Sequence, residues 1–271
     1  GRRAGLAQVF PNNGEASVRE IHWAAEHGLK GILFPAIPPD ADVPKLWSDQ
    51  YDPIWRACEE TGLSVNQHGG AGVPDYSTAK IKNFLMIMEV PFFANRSLWH
   101  VILSGVFERF PNLQFVMTEQ RTGWVPETLK KMDGVWWAFN NGGVGELRMD
   151  GNSLERSPSS YFDTNCTMGA SFPSRDEAEA IKELGVGNVM WGSDYPHREG
   201  TYPDSVASLR HVFHDWAPAD LHELFGGTAA KLYGLDIEPM AALELGPTVD
   251  EIATPLDEIP DNPSMAFGRR L

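Results

Sequence analysis

Four polar side chains stand where short apolar runs end: His68 in LSVNQHGG, Glu119 in LQFVMTEQR, Asn165 in YFDTNC and Asp194 in VMWGSDYPH. Imidazole nitrogen and carboxylate oxygen are the donors of a hydrolytic metal site, which must keep one coordination position open for water or substrate. Each residue also has a plainer reading. His68 fits a hydrogen-bonded strand terminus, Glu119 can pair with Arg121, and Asn165 can organise a loop. Asp194, ahead of Tyr195 and Pro196, can cap a turn. The chemical reading rests on all four falling at the ends of four different runs. Gly69, Gly70 and Gly72 after His68 add to it, because glycine lets backbone approach a ligand closely. Arg121, Trp124, Tyr195 and His197 lie just past the same ends, where they either pack or touch substrate.

Elements must deliver these groups. The apolar runs are 5–10, 31–36, 63–68, 113–119, 161–166 and 188–194, dense in apolar and β-branched residues as strands covered on both faces should be. Helical segments fill the intervals. Ser17 and Glu20 predict a capping box before IHWAAEHG, and Ser174 and Glu177 predict another before the EAEAIKELG run. Pro53 and Gly62 bracket a helix, and a long helical stretch closes at Pro111. This β-α order implies a parallel sheet with crossover helices, either doubly wound or a (β/α)8 barrel. Polar groups at strand C-termini are where such folds do chemistry. His22, His27, His211, His214 and His222 fall on helices as surface or packing residues; His100, within SLWHVILSG, is a candidate for burial. The Trp and Met on helices read as core filler.

The 271 residues, 42% hydrophobic, suffice for a large core, and a net charge of −15 disfavours a nucleic-acid partner. Two cysteines, Cys58 and Cys166, predict buried thiols in a reducing compartment. No window has the length of a membrane span and no signal peptide opens the chain, so a cytoplasmic location is expected. The first residue is not Met, which suggests a processed or truncated product.

GVFERFPNLQFVMTEQRTGWVP, NCTMGASFPSRDEAEA and VMWGSDYPHREGTYPDS resemble the amidohydrolase-related metal-dependent hydrolases, the superfamily branch that includes aminocarboxymuconate-semialdehyde and resorcylate decarboxylases. The resemblance implies a (β/α)8 barrel over 1–235 showing strands three to eight, with the first two strands absent from this sequence. The Pro- and acid-rich 236–271, similar to the tails of other members, reads as an irregular arm that packs on the barrel or a neighbouring subunit, which would suit a homo-oligomer. It also implies a divalent metal, most often zinc, with His68 and Asp194 at the fifth- and eighth-strand ligand positions. Two departures stand out: the first-strand ligands are absent, and Glu119 replaces the strand-six His of the decarboxylases.

The expected activity is hydrolysis of a small molecule, aromatic or not, by a metal-activated water, with Asp194 as base and Glu119 as ligand, orienting group or proton shuttle. The alternatives are a carboxy-lyase or hydratase acting on an aromatic or unsaturated carboxylate, and a non-catalytic barrel with a degenerate metal site. Arg121, Trp124, Asn165, Tyr195 and His197 are the expected substrate contacts.

Overall fold

A computed structural model describes residues 3–149, 154–237 and 246–268. These fall into two compact units. The first holds Gly5–Gln120 and Glu127–Thr167; the second holds Arg121–Pro126 and the described residues from Met168 onward, with Arg3 and Ala4.

The first unit alternates strand and helix: β1 (Leu6–Gln8), α1 (Gly14–Glu26), β2 (Gly31–Leu33), α2 (Asp52–Thr61), β3 (Ser64–His68), α3 (Lys82–Leu103), α4 (Val106–Arg109) and β4 (Phe115–Gln120). Most of α5 (Val125–Asn140) and α6 (Pro158–Asn165) complete it. β1 to β4 pair in parallel and in chain order, with Ile32 opposite Val65, Val65 opposite Phe115 and His68 opposite Thr118. Ile32, Val65 and Val116 are fully buried, as an apolar strand run between helices predicts. Phe34, Tyr51 and Trp55 form an aromatic cluster with ring centroids 5.0 to 5.9 Å apart.

Several local expectations change here. The Ser17–Glu20 box does not form. Asn13 caps α1 four residues earlier, accepting from the Ala16 N–H at 3.0 Å, and Ser17 lies inside the helix donating to the Phe10 carbonyl. Residues 161–165 are helix rather than strand: Pro158 occupies the first turn of α6, where its fixed φ favours helix, and the strand starts only at Cys166. The Met and Trp on helices are not all core filler, since Met88, Trp23 and Trp137 are exposed. Cys58 and Cys166 are buried and in no disulfide, and burial pushes both thiols well up from their ordinary range.

The second unit holds β5 (Cys166–Ser171) from Met168 onward, α7 (Arg175–Leu184), β6 (Val189–Gly192) and α8 (Ser205–Phe213). β5 and β6 pair in parallel, Met168 opposite Val189. The Ser174–Glu177 box forms at the start of α7. α9 (Pro218–His222) passes through a π-turn at Glu223–Gly227 into α10 (Thr228–Tyr233), so the helical run expected there widens at its two glycines. Trp191 is half-buried, its ring 6.1 Å from that of Phe225, rather than a core residue. Beyond Gly234, Arg210 donates to the Thr254 and Pro255 carbonyls and Asn262 donates to Asp204. Residues 238–245 and 269–271 of the expected arm lie outside the described residues. Among the described residues, no helix is long and apolar enough to cross a membrane.

Candidate active site

Each unit carries an imidazole against a carboxylate at a strand end. In the first unit, parallel register brings the ends of β3 and β4 together, and His68 Nε2 meets Glu119 Oε2. The side chains are 47% and 34% exposed, so the pair is reachable from solvent. His68 Nδ1 accepts from the Gly70 N–H at 3.1 Å, so the neutral ring carries its proton on Nε2 and donates it to Glu119. The turn is tight. A Cβ on Gly69 would lie 2.8 Å from Gln120 Nε2 and 3.3 Å from Ala94 Cβ, so only glycine fits without displacing its neighbours.

In the second unit, Asp194 follows β6 and the chain turns back at once. The His197 N–H donates to the Asp194 carbonyl at 2.9 Å, and His197 Nδ1 stands 3.1 Å from both Asp194 carboxylate oxygens. Asp194 is 8% exposed and His197 54%. With Nδ1–H donated to the carboxylate, the tautomer is fixed and the ring's basic lone pair lies on Nε2. Gly200 closes this turn, since a Cβ there would lie 2.6 Å from the Ser193 carbonyl.

The two carboxylates share a backbone feature. Glu119 and Asp194 both have left-handed φ, +53° and +61°, a conformation that costs a residue with a side chain about 1–2 kcal/mol. Strain of this kind persists where the surrounding structure aims a side chain for a task. The donors also suit a divalent cation: half-exposed imidazole nitrogens and carboxylate oxygens are the ligands that zinc and first-row metals take. Ligation through His68 Nε2 would move the ring proton to Nδ1, setting two donors face to face at Gly70.

The other expected site residues fare differently. Arg121 does not pair with Glu119; its guanidinium meets Glu177 at 2.8 Å and Ser174 Oγ at 3.2 Å. Glu177, nearly buried, also accepts from the Thr122 and Ser174 N–H groups, so Arg121 anchors the turn after β4. Trp124 is half-buried directly before α5. Tyr195 is exposed, its ring 5.1 Å from that of Tyr202. Asn165 is withdrawn as a substrate contact. It precedes β5 instead of ending it, is fully buried, and donates to the Pro111 and Leu113 carbonyls at 2.9 Å each. Two pairings went unseen in the sequence. The Asp-x-x-His spacing of 194 and 197 signals the local one; the His68–Glu119 pair needed the register between strands.

The family model described as an amidohydrolase matches residues 1–235. The chain belongs to the amidohydrolase family. Among curated proteins, none matches it. An amidohydrolase structure from Mycobacterium avium subsp. paratuberculosis K-10 aligns with TM-score 0.65 and 20% identity, over 84% of this chain and 58% of that one. The 5-carboxyvanillate decarboxylase of Sphingomonas paucimobilis aligns with TM-score 0.69 and 25% identity, over 86% of this chain and 67% of that one. A dihydroxybenzoic acid decarboxylase from Polaromonas sp. JS666, solved with manganese and 2-nitroresorcinol, gives TM-score 0.66 and 20% identity over 86% and 69%. The six parallel strands with flanking helices thus match the TIM-like barrel fold of this amidohydrolase. The chain spans 58% of the length of the first of these relatives.

Proposed function

We propose that this amidohydrolase is a metal-dependent carboxy-lyase acting on a small aromatic carboxylate. The likeness that carries the reading is to the 5-carboxyvanillate decarboxylase, at 25% identity over 86% of the chain. His68 and Asp194 are each proposed as a ligand of a divalent cation, with Glu119, which already faces His68 Nε2, as a further ligand beside His68. Manganese in the Polaromonas relative supports a divalent ion without singling out zinc. When bound, the cation supplies a positive charge that orients the substrate carboxylate and a neighbouring oxygen.

The chain's own residues manage the proton. His197, held by Asp194 through Nδ1, would take up a proton from solvent at Nε2 and deliver it to the ring carbon bearing the carboxylate. The bond from that carbon to the carboxylate then breaks, its electron pair restores the ring, and carbon dioxide leaves. One proton is consumed for each carbon dioxide released. The hydrolase alternative draws on the family itself: Asp194 would take a proton from an attacking water, and water would be consumed with no carbon dioxide formed.

The test is carbon dioxide release from carboxyl-labelled hydroxybenzoates by the manganese- or zinc-loaded natural protein, beside His68→Ala and Asp194→Ala. Release that both substitutions abolish is expected. Hydrolysis without carbon dioxide selects the alternative, and no turnover with no metal bound selects the non-catalytic barrel.

A further inference from the structure

The first unit has a second polar locus, built from the loop that leaves β2 and the C-terminal half of α3. Lys45, Trp47, Arg96, Ser97 and His100 line a shallow pocket there, open to solvent, whose enclosed part is about 10 Å3. That holds roughly one water-sized group, such as a single carboxylate oxygen, and leaves the rest of a ligand over the open mouth.

Its charges are only partly engaged, the Arg96 guanidinium lying over the Phe93 ring at 5.0 Å. Lys45 Nζ donates to the Ala41 carbonyl and Arg96 Nη2 to the Ile37 carbonyl, one bond each from groups with three and five N–H donors. Among the described residues, no carboxylate pairs with either cation. This is unusual in a chain with 37 acidic residues against 22 basic ones. Burial, and then the charge of Arg96, push the His100 pKa down to about 4, so at neutral pH its ring is an uncharged hydrogen-bonding group. Trp47, exposed, meets His100 edge-on at 4.8 Å and gives the pocket an aromatic wall.

The pocket also borders the His68 turn. A Cβ on Gly72 would lie 3.2 Å from Ala36 Cβ and 3.4 Å from the Phe93 carbonyl. The turn therefore packs against the same loop and the same helix that supply Ile37 and Arg96.

We propose that this pocket binds a carboxylate of an aromatic acid, with Lys45 and Arg96 supplying the charge and Trp47 the apolar wall. The choice of a carboxylate over other anions rests on the carboxy-lyase reading; the two unpaired cations do not.

The experiment titrates benzoate into the chelator-treated protein by calorimetry, following tryptophan fluorescence in parallel. Saturable benzoate binding is expected, with benzamide failing to compete. Lys45→Gln and Arg96→Gln should each weaken binding at least tenfold, about 1.4 kcal/mol. Because Arg96 also holds the Ile37 carbonyl, Lys45→Gln decides if Arg96→Gln melts early. Unchanged affinity in a folded Lys45→Gln protein overturns the proposal, as does benzamide binding equal to benzoate. Inorganic phosphate displacing benzoate at equal affinity overturns the aromatic carboxylate as occupant. Failure of carbon dioxide release with benzoate binding intact sinks the carboxy-lyase reading alone.

Discussion

The two imidazole–carboxylate pairs solve one problem by opposite routes. His68 and Glu119 are 51 residues apart and meet because β3 and β4 lie side by side. Asp194 and His197 are three residues apart and meet inside a single turn. The carboxylate is the sheltered partner in both, but to different degrees: Glu119 is 34% exposed and Asp194 8%. A pair fixed by two strands depends on the sheet for its geometry. A pair fixed by a turn carries that geometry with it.

The largest effects test whether the pairs divide the work. His68→Ala and Asp194→Ala should each reduce bound metal, read by elemental analysis, and turnover by more than ~100-fold, since each removes a proposed ligand. Glu119→Gln and His197→Gln keep size and should cost less, about 10–100-fold in activity, the one as a further ligand and the other as a proton-handling partner. Equal, complete loss in all four variants would erase the distinction between the two principal ligands and their partners.

Stability gives the next contrast. Glu177→Ala in the second unit strips a nearly buried carboxylate from Arg121 and from two backbone N–H groups, and should cost about 3 kcal/mol in urea unfolding. Asn165→Ala in the first unit leaves the Pro111 and Leu113 carbonyls without their donor, and should cost about 2 kcal/mol. A Glu177→Ala protein as stable as its parent would show that the turn after β4 does not depend on that anchor.

The contrast between the pairs also explains what the sequence could and could not show. Short-range rules worked where neighbours decide: the Ser174–Glu177 box, the Pro53 start and Gly62 stop of α2, and the apolar strands β3 and β4. They failed where two local signals competed. Asn13 outcompeted Ser17 as a cap, and Pro158 drew Tyr161–Asn165 into helix despite their strand-like composition. His68, Glu119 and Asp194 stood out by position at strand ends. The partners of Glu119 and Arg121 did not, because a carboxylate two residues from a guanidinium suggests a local pair, whereas alternate strand residues point the same way while the chain bends away after Gln120.

A pH experiment separates the first unit's half-buried imidazole, His100, from the exposed ones. Folded His100 has its pKa lowered to about 4 from an ordinary 6.5. Between those values the unfolded chain binds a proton that the folded chain does not, so stability rises with pH and is lost on acidification. The ring is partly solvent-exposed, which discounts the effect to roughly 1.5 kcal/mol between pH 7 and pH 4. His100→Gln should flatten that part of the profile by this amount in urea unfolding; a slope identical to the parent's refutes the assignment.

The smallest effect probes the strained backbone the two pairs share. Glycine adopts left-handed φ freely, so Glu119→Gly releases strain of about 1–2 kcal/mol while adding a comparable flexibility cost in the unfolded chain. The half-exposed pair with His68 contributes little to stability. The net change for Glu119→Gly should lie within about 0.5 kcal/mol of the parent, even though activity falls. Asp194→Gly should cost more. Aspartate already tolerates left-handed backbone better than glutamate, so less strain is released, and the sheltered contact to His197 is lost. A loss of roughly 0.5 to 1 kcal/mol is expected, read from the urea midpoint at pH 7. Were Glu119→Gly the more damaging of the two, the strand-held pair would be the one that stabilises the fold, and the turn-held pair the one spared for chemistry.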